Sequence, residues 1–160
     1  MDFDASEIVI TKAEREDLRE ILDLQYLAFL SEAEIVGTTD IPPLKQTLAE
    51  LCDEYERSTV IKMLLDGRII GSVRFRNEGD TVYVGKLMVH PDYRRHGLGA
   101  RLLNEADRLF PGKRYELFTC DKCVNTIRLY EKNGYEKTGK SMACGSLNFI
   151  YMERNANPQS

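Results

Sequence analysis

At 160 residues, with 42% hydrophobic and 30% charged content, the chain has the size and composition of one globular domain. Its net charge of −4, with no stripe of basic and aromatic residues, argues against a nucleic-acid-binding module. The acidic start MDFDASE leads into no apolar signal-type stretch, and no run reaches the ~18 apolar residues of a membrane span, so a cytoplasmic protein is expected.

In chain order, EIVITKA (7–13) alternates like a short strand and runs into a helix from Lys12 to about Ala33. That helix has Leu18, Ile21, Leu22, Tyr26 and Phe29 on one face. GTTDIPP (37–43) is turn chemistry, and LKQTLAELCDEYE predicts a second helix striped with Leu44, Leu48, Leu51 and Tyr55. Period two then takes over: 59–67, 68–80 and 81–90 read as three antiparallel strands joined at Asp66-Gly67 and Glu78-Gly79-Asp80. A helix from about Leu98 to Phe110 ends at PGK, RYELFTC (114–120) reads as a strand, and NTIRLYEKNGY (125–135) reads as a helix stopped by Asn133-Gly134. EKTGKSMACG and SLNFIYMER close as a strand hairpin. The order β-α-α-β-β-β-α-β-α-β-β predicts a single mixed α/β domain over 7–154. Residues 1–6 are expected as an N-terminal extension and 155–160 as a disordered tail.

The cysteines Cys52, Cys120, Cys123 and Cys144 read as reduced thiols. Cys120 and Cys123 form a CxxC, but the chain lacks a second pair, and His90 and His96 are its only histidines, so no metal site is expected. The charge is divided unevenly: residues 1–60 carry −10 and residues 61–160 carry +6. Two ligands of opposite sign would account for this, as would solvated helix faces in the first part.

The stretch YRRHGLGARLL (93–103) places arginines and glycines at a helix start. Helix-start N–H groups lack intrahelical partners, and glycine lets a ligand reach them, so the segment suits a phosphate-bearing anion. Arg94, Arg95 and Arg101 would add charge-assisted contacts. GxxxxGK[ST] is absent, and GLGARL lacks both the third glycine and the close strand junction of a dinucleotide fingerprint.

LMVHPDYRRHGLGARLL closely resembles the acyl-CoA-binding signature of the GNAT superfamily of N-acetyltransferases, [QR]-x-x-G-x-[GA]. Arg94, Arg95, His96, Gly97, Leu98 and Gly99 supply it. IRLYEKNGY (127–135) resembles the family's second segment, [AI]-x-x-L-Y-x-x-x-G-[FY]. The resemblance implies a mixed, mostly antiparallel sheet of about seven strands flanked by about four helices, with the fourth and fifth strands splayed apart. It implies acetyl-CoA as co-substrate, its pyrophosphate on the loop Arg95–Ala100 and its pantetheine along Leu87, Met88 and Val89. One N–H of that strand would polarise the thioester carbonyl.

The implied reaction is direct attack of an amine, from a small molecule, peptide or protein, through a tetrahedral intermediate. A non-catalytic acyl-CoA-binding or sensing domain is the alternative. Tyr130 falls on the family's acid position, where it would protonate the leaving thiolate, although it would also serve as core packing or as a hydrogen-bond donor to sulfur. Family members with a glutamate early on the fourth strand differ from this chain, which has Val82, Tyr83 and Val84 there. Glu116 is the nearest match to a fifth-strand base. Glu32 and Glu34 lie where the family shapes its acceptor pocket, and a water chain would replace a dedicated base. The asparagine the family often places seven residues before the tyrosine is Cys123 here, so Asn125 either takes over a cofactor contact or caps the helix. The charge division favours a cationic acceptor; a homodimer is compatible with the sequence, and neither nucleic acid nor membrane is expected as a partner.

Overall fold

In the computed structural model, which describes residues 3–156, the alternating segments become seven strands. They are β1 (Val9–Lys12), β2 (Thr59–Leu65), β3 (Arg68–Glu78), β4 (Thr81–Val89), β5 (Arg114–Cys120), β6 (Glu136–Cys144) and β7 (Leu147–Arg154). They form one sheet in the order β1-β2-β3-β4-β5-β7-β6. Every neighbouring pair is antiparallel except β4–β5, which is parallel. Asp66 and Gly67 both take positive φ, +53° and +75°, as a tight hairpin turn matched to strand twist requires.

The helices keep the expected order but not every boundary. The first, α1 (Leu18–Val36), starts later than expected because Arg15–Asp17 form a 3-10 turn, with the Asp17 carboxylate accepting from the Glu14 N–H at 2.7 Å. It stops at Gly37, whose φ of +81° suits glycine. The expected second helix is two: α2 (Pro42–Lys45) and α3 (Leu48–Arg57). Thr47 begins a new helix there, its hydroxyl accepting from the Glu50 N–H while the Glu50 carboxylate accepts from the Thr47 N–H. Likewise the expected helix 98–110 breaks at Asn104 into α4 (Leu98–Leu103) and α5 (Glu105–Leu109). The last, α6 (Val124–Lys132), is followed by Gly134 at φ +91°.

Apolar periodicity sorts these elements into three layers. Leu98, Leu102, Leu103 and Ala106 of α4 and α5, with Ile127 and Tyr130 of α6, pack on Val73, Phe75, Val82, Tyr115 and Leu117. Leu18, Ile21, Leu22 and Ala28 of α1, with Leu51 of α3, cover Val60, Ile69 and Met88 on the opposite face. Each fully buried leucine contributes roughly 1.5–3 kcal/mol. Gly71 of β3 allows the close approach of α4, since a Cβ there would lie 2.9 Å from Leu102 and 3.2 Å from the Met88 carbonyl oxygen. A third cluster joins Ala33, Ile41, Cys120, Cys123, Leu147 and Phe149, bridging the end of α1 to the β5–α6 junction and β7.

The residues expected as an N-terminal extension are partly docked. Asp4 caps a 3-10 turn at Ala5–Glu7, and the Phe3 ring meets Tyr93 and His96 edge-on at centroid distances of 5.2 and 4.9 Å. The tail expectation for 157–160 lies outside the described residues; Asn155 and Ala156 are exposed and without regular structure. Among the described residues, no helix is long and apolar enough to cross a membrane.

Candidate functional site

The sheet divides between β4 and β5. Thr81, Val82 and Tyr83 pair with Arg114, Tyr115 and Glu116, and the parallel ladder ends there. The cause lies on the other edge of β4, where Arg74 pairs with Gly85 but Ser72 pairs with Met88. The extra β4 residue is taken up by a bulge, with Lys86 at φ +51°. Beyond it, Leu87, Met88 and Val89 turn away from β5, whose remaining residues Leu117–Cys120 pair with β7. The edge of β4 carrying these residues thus has free main-chain groups along a wedge, the arrangement expected for an added extended ligand.

Just past β4, His90 caps a 3-10 turn at Pro91–Tyr93 by accepting from the Asp92 N–H at 3.1 Å. The following loop runs from Arg94 to Gly97. Arg95 and Gly97 have φ of +68° and +75°. The Arg94 N–H bonds to the Pro91 carbonyl and the Arg101 N–H to the Gly97 carbonyl. Between them, the amides of Arg95, His96, Gly97, Leu98, Gly99 and Ala100 have no protein acceptor among the described residues. A Cβ at Gly97 would meet nothing within 4 Å, whereas one at Gly99 would come within 3.1 Å of Leu129. Space above Gly97 is therefore open, and Gly99 is the contact point between α4 and α6. Leu98 is buried, anchoring the loop to the core.

The arginines divide their roles. Arg94 does not hang over the loop: its guanidinium donates to the Ser31 hydroxyl at 2.6 Å and the Ala28 carbonyl at 2.8 Å. It ties the loop to the second half of α1. Arg95 and His96 are exposed, and Arg101 donates to the Ala5 carbonyl at 3.4 Å.

Tyr130 projects from α6 into the core, 7% exposed, with its ring 5.9 Å from that of Tyr135. The Tyr135 hydroxyl is buried with no hydrogen-bond partner among the described residues. Burial, then the neighbouring Tyr135, Glu32 and Cys123, push the Tyr130 phenol well above the ordinary tyrosine range, so it stays protonated at neutral pH. Cys123, the N-cap residue of α6, donates its thiol to the Glu32 carboxylate at 3.4 Å. Burial, then the adjacent Glu32, pushes the Cys123 thiol up as well, making it a poor thiolate. Burial also raises the Glu32 carboxyl, only partly offset by the Cys123 hydrogen bond. Glu32, Cys123 and Tyr130 thus come together, while Glu34 is exposed.

Glu116 is elsewhere. It lies opposite Tyr83 in the paired part of β5, accepting from Arg114 at 2.8 Å, and Arg114 also holds Glu153. Its neighbours Tyr115 and Leu117 enter the core that holds Tyr130, so Glu116 projects from the other face of the sheet. Asn125 is exposed within the first turn of α6 and makes no cap bond, which removes the capping alternative.

The sequence reading missed a buried polar group between α1, α3 and β3. Arg74, 2% exposed, donates to Gln25 at 2.5 Å, to Gln46 at 3.1 Å and to Glu54 at 2.9 Å. Burial disfavours ionised Glu54, but Arg74, Gln46 and Lys86 together hold its carboxyl below the ordinary range. The signal was available: Gln25 interrupts the apolar face of α1, and Arg74 stands between Val73 and Phe75. A cavity of about 420 Å³ adjoins Glu54, lined also by Glu50, Asp53, Arg57 and Arg76, but it includes none of the wedge, loop or Tyr130 residues. The four cysteines are free, and among the described residues no group of three or more His, Cys, Asp or Glu gathers as for a metal.

Comparison with known proteins agrees with this architecture. The PaiA N-acetyltransferase of Thermoplasma acidophilum, solved with coenzyme A, superposes with a TM-score of 0.79 at 20% identity, covering 92% of this chain and 98% of that one. The ribosomal-protein-S18-alanine N-acetyltransferase of Escherichia coli superposes with a TM-score of 0.72 at 19% identity, covering 96% and 98%. At these identities the likeness is one of fold. In sequence the chain is 29% identical over 130 residues to the UPF0157 protein YqkA of Bacillus subtilis (strain 168), covering 81% of this chain but 37% of that protein. The sequence model of the acetyltransferase (GNAT) domain matches residues 56–137, from the end of α3 through both signature segments. With the split sheet, the loop of free amides and a tyrosine in the second segment, the chain belongs to the GNAT acetyltransferase family.

Proposed function

We propose that the chain is an acetyl-CoA-dependent N-acetyltransferase. One observation carries this reading: the free edge of β4 leads directly into a loop whose amides, Arg95 through Ala100, have no protein partner. Such a pair of features suits a ligand with an extended amide-bearing arm ending in a pyrophosphate, as in coenzyme A. The open space above Gly97 passes the test of fit, since a ligand phosphate needs that approach to the backbone. Leu87, Met88 and Val89 would hold the arm by main-chain bonds, and Arg95, His96, Gly97, Leu98, Gly99 and Ala100 would hold the phosphates mainly through N–H groups. Asn125, exposed at the start of α6, is available for a further contact.

Bound acetyl-CoA supplies an acetyl group activated as a thioester. Tyr130 donates the proton that the departing sulfur needs; its burial keeps that proton in place until a strong base forms beside it. A main-chain N–H of the free β4 edge stabilises the developing oxyanion. The acceptor is an amine, and the charge of −10 over the first 60 residues supports a cationic one. The test is calorimetric titration with acetyl-CoA, then thiol release with an amine panel including spermidine and a basic lysine peptide. Binding with amine-dependent thiol release is expected; binding without it identifies an acyl-CoA-binding domain.

A further inference from the structure

From the contact between the end of α1 and the start of α6, we infer that Glu32 is the general base that deprotonates the acceptor ammonium. The inference rests on the acyl-transfer reading and adds the group which the fourth and fifth strand positions leave unassigned.

Glu32 meets the geometric requirements that other carboxylates miss. Its one bonded partner is a neutral thiol, Cys123 Sγ at 3.4 Å, and it forms no ion pair among the described residues. Glu54 is held by Arg74 and Gln46, and Glu116 by Arg114, so their lone pairs are engaged by cations or amides. Cys123 and Tyr130 lie seven positions apart on α6 and its cap, hence on one helical face, and both are buried. Glu32 therefore lies on the α1 side of the same α6 face as the proposed acid, about two turns (~10 Å) along the axis from it and near enough to act on its phenol electrostatically. Arg94 fixes that side, since it binds Ser31 and Ala28 in the turn that carries Glu32. Access is also present, since Glu32 is only half-buried, while its Cys123 partner is buried.

The groups facing Glu32 set its proton affinity. From α6 and its cap these are Cys123 and Tyr130; Cys120 lies behind Cys123, and Arg94 approaches through Ser31. Ile41, Leu147 and Phe149 bring no charge, and Lys45 and Asp40 pair with each other at 2.7 Å. Burial dominates, and the carboxyl is shifted upward, in the direction a base for an ammonium needs.

Protons balance across the pair. Glu32 carboxylate takes one proton from the ammonium, and the freed nitrogen lone pair bonds to the thioester carbonyl carbon. The C–S bond breaks, and Tyr130 gives its proton to the thiolate. The second nitrogen proton returns to the tyrosinate, and Glu32 releases the first to solvent. The products are the amide, the thiol and one proton.

The test uses the full chain with acetyl-CoA and whichever of spermidine or a basic lysine peptide it acetylates faster. E32Q should lower kcat/KM by ~10²-fold and abolish the acidic limb of the pH–rate profile, with acetyl-CoA affinity unchanged by calorimetry. Glu32→Asp should restore part of the rate and the acidic limb, and Glu136→Gln, an exposed position on β6, should match wild type. Independently of turnover, carboxyl ¹³C NMR should show one glutamate titrating above the ordinary range, absent in E32Q. An unchanged acidic limb in E32Q, or no such resonance, overturns the role of Glu32 alone. A wild-type chain that binds acetyl-CoA and acetylates neither amine overturns the acyl-transfer reading and this inference together.

Discussion

Replacing Gly97 tests whether the loop is a backbone cradle, and two substitutions separate its two properties. Gly97 has φ +75° with open space at its Cβ position. Gly97→Ala therefore adds no clash and costs only the left-handed strain, about 1–2 kcal/mol, borne equally by free and bound protein. Its effect should appear in stability, not in acetyl-CoA affinity. Gly97→Glu adds the same strain and places a carboxylate where the phosphates would lie. At a separation of about 6 Å, one pair of like unit charges costs ~0.7 kcal/mol at a water-like dielectric and ~3 kcal/mol at an effective value of ~20. Partial exposure of the loop puts the expected loss near 2 kcal/mol, about 30-fold in affinity, falling with added salt. Calorimetry of wild type and both variants, with urea melts for stability, reads the two effects separately. Equal affinity for Gly97→Glu and wild type would refute the cradle, and an equal loss for Ala and Glu would show that strain, not charge, is responsible.

Tyr130→Phe keeps the buried ring and removes one hydroxyl, so kcat should fall ~10²-fold with acetyl-CoA affinity near wild type; an unchanged kcat, with chemistry rate-limiting, would reduce Tyr130 to packing. A cationic peptide should have a higher kcat/KM than an acidic one of equal length at low salt, with the gap closing toward 1 M as the Debye length falls to ~3 Å; equal values at low salt would leave the −10 charge as solvated helix surface. Glu32 also predicts a stability signature. Its folded pKa lies above the unfolded value, so the native state binds the proton more tightly and stability falls as pH rises through that interval. E32Q should therefore have a higher Tm than wild type at pH 7–8 and the same Tm below about pH 4, read by calorimetric scans; a lower Tm at neutral pH would contradict the burial argument.

The strands from 59 to 90 were legible because period two and turn residues agree over a long stretch, and each strand appeared within two residues of its expected ends. The helix boundaries were legible only where capping chemistry was weighed against apolar periodicity. Leu44, Leu48 and Leu51 are on one stripe, yet Thr47 and Glu50 satisfy each other's amides and restart the helix between them. The wedge could be expected from the family resemblance but not from the pattern of β4. Its bulge depends on Lys86 at positive φ, a conformation lysine does not advertise in sequence. Glu32 and Cys123 are 91 positions apart, so nothing local signals their contact; only the packing of α1 against the β5–α6 junction creates it.

Arg94 shows that an arginine beside a loop of free amides can be committed to the protein itself. In sequence it stands beside Arg95 at a phosphate-type loop, and the resemblance gives both a signature position. The structure turns its side chain inward, where the Ala28 carbonyl, without a helical partner on that lone pair, and the Ser31 hydroxyl satisfy two of its nitrogens. Burial lowers its pKa, yet a guanidinium keeps its proton in proteins, so a full positive charge sits against α1. In the proposed cradle, attraction for phosphate would rest on the free amides of Arg95–Ala100 and on the exposed Arg95, with Arg101 shared with Ala5. Backbone donors hold their geometry before a ligand arrives, whereas a flexible arginine must be ordered on binding and loses rotamer freedom. The clamp contributes that preorganisation: it fixes the loop to the same turn of α1 that carries Glu32, so that in the proposed complex one side chain would position both the phosphate cradle and the carboxyl bonded to Cys123.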